Sequence, residues 1–182
     1  MIRTVLWVFG GLVLGGIIHI AVILALPVLT GGSVWAQVVE MGALNRPIVL
    51  PAAEAGQANP LRLDPELAYA VCQIDLRQGP GTVSGTLPQA FWSIAVYSHS
   101  GIALYSTTNR DGIGQNLELG IFNQVQTRLL AEQKLNVAEG LLIVESRDDD
   151  VYVVVRLHPE QQVMRARYEA QLRALRCGNI PA

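Results

Sequence analysis

The sequence predicts an α+β protein: an N-terminal transmembrane helix, then an antiparallel β-sheet or sandwich domain packed by a C-terminal helix. Three observations predict it. The stretch from Thr4 to Leu29 carries neither acid nor base. Several later runs alternate apolar and polar residues, or are short and apolar throughout, as strands are. One stretch with helical spacing then closes the chain. Strands in succession followed by a helix point to α+β rather than to alternating βαβ units.

The first element is the anchor. A helix rises about 1.5 Å per residue and needs roughly 20 apolar residues to cross a bilayer core; this run exceeds that. Arg3, with the amino terminus, is the only positive charge ahead of it, and the next charged residue is Glu40. The positive-inside tendency keeps the amino end in the cytoplasm and exports the rest, giving a single-pass protein of the inner (cytoplasmic) membrane with a periplasmic domain. Gly11, Gly15 and His19 lie four apart, on one side of the helix. Gly-x-x-x-Gly lets a second helix approach closely, and an imidazole at membrane depth needs a partner. This side is a candidate packing face, for self-association or for a companion membrane protein. The plainer reading is that glycines are ordinary in spans and His19 bonds a nearby carbonyl. A cleavable signal peptide is the rival, with Val34-Trp35-Ala36 as its processing site; its apolar region would be only about 7–15 residues, so an uncleaved anchor is expected.

Of 182 residues, about 150 remain outside the membrane, enough for one domain with a core of its own. Only Arg3 of the 13 basic residues precedes Glu40, and all 15 acidic residues lie from Glu40 onward, so the exported part is mildly acidic. That balance gives no nucleic-acid footprint. Cys72 and Cys177 are too far apart in sequence to read as a metal-ligand pair, and no metal or cofactor is expected. The division expected is 1–29 anchor, 30–60 juxtamembrane helix and linker, and 61–182 β-rich domain.

Pro27 and Thr30-Gly31-Gly32 are expected to end the span, and Ser33 to cap a short helix from Val34 to Met41 that Gly42 stops. Trp35 suits the headgroup level. Ala43 to Pro60 reads as a linker, with Pro47 to Pro51 able to add an edge strand. Tyr69 to Leu76 alternates, with Ala70, Cys72, Ile74 and Leu76 on one face. Thr82 to Leu87 is a weaker strand. Phe91 to Tyr97, with Trp92, Ile94 and Val96 inward, forms a hairpin with Ile102 to Thr107 through Ser98-His99-Ser100-Gly101. Leu117 to Phe122 follows, then a short helix over Gln124 to Lys134. Leu141 to Glu145 and Val151 to Leu157 are apolar enough for central strands, joined by a solvated turn at Arg147 to Asp150. Pro159 opens the last helix, with a Met164, Tyr168, Leu172 and Leu175 stripe and Gly178 as its cap.

Within DPELAYAVCQIDLRQGPGTVSGTLPQAFWSIAVYSHSGIALYSTTNR, a pattern runs through Cys72, Asp75, Leu76, Gly79, Pro80, Leu87, Pro88, Phe91, Trp92, Ser93, Tyr97, Gly101, Tyr105, Ser106, Asn109 and Arg110. It resembles the uncharacterised bacterial envelope family called domain of unknown function 1254, in its short membrane-anchored members. The resemblance extends less specifically to the anchor and to the second cysteine. Longer members carry a further domain at the carboxyl end, which is not expected here. The resemblance implies a β-rich envelope domain and brings no catalytic assignment.

No residue is assigned to catalysis. His99 lies between two serines in a turn, without the strained elbow a nucleophilic serine uses. Asp148-Asp149-Asp150 lacks the alternating spacing and central glycine of a calcium loop and reads as a hairpin turn. Asp64, before Pro65, reads as a turn initiator rather than as the partner of Asp75. The outward faces of the strands carry Tyr69, Gln73, Asp75, Ser93, Tyr97 and Tyr105, a semi-polar aromatic floor for a small ligand or peptide if those strands are neighbours. The plainer reading is an ordinary solvated sheet face. Two cysteines and no third, in an exported domain, predict a structural Cys72–Cys177 disulfide fixing the last helix to the first strong strand. The sequence thus points to a binding or scaffold component of the envelope, with an envelope enzyme acting through the strand face as the alternative.

Overall fold

The computed structural model describes residues 2–29, 34–110, 115–132 and 141–180. It divides into two compact units, Met1–Gly32 and Ser33–Ala182. The expected Thr30-Gly31-Gly32 stop, the Ser33 cap, part of the 109–116 loop and the last residues of the 124–134 helix lie outside the described residues.

The first unit is one helix, α1 (Ile2–Leu29). Its segment Ile2–Leu26, 25 residues, is long and apolar enough to cross a membrane. Pro27 does not end it, because the missing N–H removes a single bond so close to the terminus. A Cβ added at Gly11 or Gly15 would meet nothing within 4 Å, so the glycine side is open.

The second unit is a two-sheet sandwich. Its elements run α2 (Val34–Glu40), β1 (Ile48–Val49), β2 (Ala68–Asp75), β3 (Gly81–Thr86), β4 (Trp92–Ser98), β5 (Ala103–Thr108), β6 (Asn116–Asn123), α3 (Gln124–Glu132), β7 (Leu142–Ser146), β8 (Asp150–Leu157), α4 (Arg165–Arg173) and β9 (Arg176–Asn179). One sheet has the order β1-β2-β8-β4-β5 and the other β7-β6-β3-β9. All pairings are antiparallel except β6 with β7, which are joined through α3. Proline-bounded β1 takes the sheet edge, where a missing donor does no harm.

The core fills the space between the sheets. Ile74, Trp92, Ile94, Val96, Val153 and Leu157 of the first sheet meet Val83, Leu117, Leu119 and Ile121 of the second, and Tyr168 and Leu172 of α4 join the same cluster. The two backbones come close at Gly81, where a Cβ would stand 2.8 Å from the Ile74 side chain. Arg165 anchors α4 by donating to the carbonyls of Pro65 (2.8 Å) and Leu67 (3.0 Å), just ahead of β2.

Three sequence expectations need correction. The last helix spans only Arg165–Arg173, after a 3₁₀ turn at Gln162–Met164, and the expected cap Gly178 lies in β9 opposite Thr82. Local periodicity runs on through Leu175, but the open edge of β3 recruits the chain instead. The disulfide between Cys72 and Cys177, Cα atoms 6.5 Å apart, therefore ties the two sheets together rather than helix to sheet. Lastly, β7 and β8 form no hairpin: β7 is an edge strand of one sheet, β8 the middle strand of the other, and residues 147–149 cross between them.

Candidate functional site

The alternation of β2, β4 and β8 that fills the core leaves a second set of side chains on the opposite face of the five-stranded sheet. Register aligns them in rows. Tyr69, Arg156, Ser93 and Thr108 form one, Val71, Val154, Ala95 and Ser106 the next, and Gln73, Tyr152 and Tyr97 the third. Asp75 and Asp150 end the series.

This face is partly roofed. The segment read as a linker pairs with β2: the Asn45 N–H donates to the Gln73 carbonyl (2.9 Å) and the Gln73 N–H to that of Ala43 (2.8 Å). Val38, Ala43 and Leu50 bury against Val71 and Tyr152 in a second, smaller apolar cluster. Trp35, suited by sequence to the headgroup level, rests on Tyr152 with ring centroids 6.1 Å apart.

Between roof and sheet lies a cleft of about 340 Å³, at the small end of ligand-binding sites. Val71, Val154, Leu50, Leu61 and Leu63 supply apolar wall; Tyr69, Tyr97 and Tyr152 supply rings with hydroxyls; Arg62 and Arg156 supply the charge. Tyr97 and Tyr152 stack, centroids 5.1 Å apart and 13° from parallel. Arg156 Nη2 donates to the Tyr97 hydroxyl at 2.9 Å. The Tyr69 hydroxyl accepts from the Asp64 N–H at 3.0 Å. Burial, and then the neighbouring Tyr97, push the Tyr152 phenol up, keeping it a neutral donor.

Of the six residues proposed for the floor, Tyr69 and Tyr97 line the cleft. Gln73 is covered by the roof and Ser93 lies in the Arg156 row. Asp75 sits at the far end, held by Arg77 Nε at 2.7 Å and by the Arg77 backbone N–H at 3.0 Å. Tyr105 is on the other face: it pairs with Val96 and packs against the main core. The strand residues missed include Val71, Tyr152, Val154 and Arg156, and ahead of β2 Leu50, Leu61, Arg62 and Leu63 were missed too. The alternation of Tyr152, Val154 and Arg156 in VYVVVRL was the available signal, masked by reading the whole strand as buried.

Other candidates do not assemble. His99 Nδ1 stands 3.4 Å from Asp148 in an exposed pair. Ser98 Oγ shares a hydrogen with Ser100 Oγ (2.7 Å) and accepts from the Ile102 N–H (3.2 Å), serving the hairpin turn that Gly101 closes at φ +82°. Among the described residues, no three His, Cys, Asp or Glu side chains converge as metal ligands would.

No family model and no curated protein matches the chain. Among solved structures it is similar to the VPA0106 protein from Vibrio parahaemolyticus, with a TM-score of 0.56 and 11% identity over 80% of this chain. It spans 33% of that protein's length. An uncharacterised protein from Burkholderia cenocepacia aligns over 65% of this chain and 32% of its own, with 13% identity and a TM-score of 0.41. The Vibrio likeness shows a shared fold, and neither name carries an activity.

Proposed function

We propose that the chain is a membrane-anchored binding or scaffold component of the bacterial envelope, held in the inner membrane by α1, with the sandwich in the periplasm and a ligand in the outer-sheet cleft. The observation that carries this reading is the cleft itself: apolar walls, stacked tyrosines and an arginine fixed by a tyrosine hydroxyl. The same proposal includes kinship with the uncharacterised envelope family, on the residue pattern from Cys72 to Arg110. The disulfide supports an oxidising compartment. Partners through Gly11, Gly15 and His19 belong to the proposal as well, since that side of α1 is open. The enzymatic alternative has less behind it, because Asp75 and Ser98 are engaged in structural bonds.

The test places a photoreactive residue at Leu61, beside the cleft, and another at Ser84 on the second sheet, and irradiates intact cells. A low-mass adduct at Leu61 and none at Ser84 is expected. No adduct at Leu61, in protein of normal abundance, sinks the binding reading. A reporter active only in the periplasm, fused after Ala182, tests the topology; an inactive fusion of normal abundance reverses it.

A further inference from the structure

The cleft is charged in one sense only. Its ionisable lining comprises Arg62, Arg156 and three tyrosines, and no carboxylate. Among the described residues neither arginine has an acid within 4.0 Å, whereas Arg77 holds two carboxylates and Arg165 and Arg173 share Glu169. A guanidinium offers five N–H donors. Arg156 is half-buried and spends one of them inside the protein, on Tyr97. Partial burial of an unpaired cation is unfavourable, and a ligand anion offsets it.

Arg156 has its side chain held, and Arg62 its backbone, before any ligand arrives. Arg156 is steadied by the stacked Tyr97. Arg62 has φ +51° in a short loop that Asn59 closes, its side chain bonding both the N–H and the carbonyl of Leu63 at 2.8 Å. A non-glycine residue in that conformation is strained, and such strain persists only where the surroundings fix it. Beyond the two arginines and three tyrosines the wall is aliphatic, and a volume near 340 Å³ has room for one short chain and not for the paired chains of a phospholipid.

We infer that the cleft binds a single-chain amphiphile with an anionic head, carboxylate or phosphate, set on Arg156 and Arg62 with the chain against Val71, Val154 and Leu61. This rests on the binding reading above and specifies its ligand. Guanidinium recognises both heads through paired N–H donors.

The experiment uses the full chain in nanodiscs of zwitterionic lipid, titrated with octanoate, octyl phosphate, octanol and octylammonium, with empty nanodiscs as the partition control. Saturable binding of octanoate or octyl phosphate is expected, with octanol weaker by about tenfold or more, the scale of lost charged hydrogen bonds. The tighter of the two anions assigns the head as free carboxylate or phosphate ester, and either result supports the class. Arg156→Gln should weaken the anion about tenfold and octanol by much less, since an alcohol loses no charge-assisted bond. Should that variant fold poorly, Arg62→Gln, at an exposed position, carries the same expectation. Octanol or octylammonium binding as tightly as the anions overturns the anionic class and leaves the binding reading standing. No saturable binding of any probe overturns both.

Discussion

The two faces of the five-stranded sheet are built from the same strands and serve opposite ends. Its inner face is closely packed: Ile74, Ile94, Val96 and Leu157 are fully buried, and the space left beside Cys72, Val83 and Cys177 is about 10 Å³, room for one water at most. Its outer face keeps about 340 Å³ open under a short helix and an irregular strap. Period two explains how one strand supplies both. In β8, Val153, Val155 and Leu157 close the core while Tyr152, Val154 and Arg156 line the cleft. Stability is concentrated on one side, which leaves the other free to hold polar groups without packing them away.

The sharpest way to break that comparison is to truncate one residue on each face. Trp92→Ala empties a fully buried inner position and should cost about 4 kcal/mol, whereas Val154→Ala at the half-open cleft should cost about 1 kcal/mol. Denaturant unfolding of the two variants measures both; equal losses would mean the outer layer is as tightly packed as the core.

Next in size is the disulfide. With the cysteines 105 positions apart, the chain-entropy model sets a ceiling of about 4.7 kcal/mol, and bridges more often deliver about 3 kcal/mol. Replacing both cysteines with Ala should lower stability by that amount and leave octanoate affinity unchanged, because the bond lies between the sheets. Two thiols reacting in denatured, unreduced protein would show that the bond does not form.

A smaller effect is expected from Trp35→Ala, which removes an aromatic contact worth about 1 kcal/mol. Since the truncated side chain belongs to the roof and sits on the outer face of the sheet, hydrogen exchange should rise over Val34–Glu40 while global unfolding hardly moves. Parallel loosening of β2 and β8 would show that roof and sheet unfold as one body.

The inner face was legible in the sequence and the outer face largely was not. Cys72, Ile74, Trp92, Ile94 and Val96 alternate with polar neighbours, so parity alone assigned them inward. Ala103 to Thr108 offers too little contrast between its faces, and a register shift after Val96 breaks simple parity, so Tyr105 was assigned to the wrong side. The roof was hidden for another reason: Ala43 to Pro60 has linker composition, and its order comes from bonds to β2. β9 likewise owes its conformation to an unpaired edge contributed by β3, far earlier in the chain. Local alternation specifies the inward faces of β2 and β4, whereas the roof and β9 take their conformation from distant partners.

The smallest expected effect contrasts two arginines attached to this sheet. Among the described residues Arg156 has no acid within 4.0 Å, while Arg77 bridges Asp75 and Asp150, which stand directly opposite each other in register, at 2.7 Å to each. Two carboxylates so placed repel unless a cation lies between them. The Arg77 side-chain hydrogen bond, against opposing desolvation, holds the Asp75 carboxyl below its ordinary 3.8. A depressed folded pKa gives stability that is present above the unfolded pKa and is lost as pH falls through the folded one. For Asp75 the loss should therefore begin near about pH 4 and finish below its depressed value. Arg77→Met should destabilise at pH 7, by less than any variant above, and the gap to wild type should narrow as the Asp75 carboxyl is protonated. Asp75→Asn keeps an acceptor for the Arg77 N–H but removes the charge, so it should lose the Asp75 share of stability at pH 7 and flatten the acid limb. Melting curves at pH 7 and pH 2.5 measure the gap. If the gap from Arg77→Met is the same at both, the arginine acts through its alkyl stem and the ion pair contributes nothing.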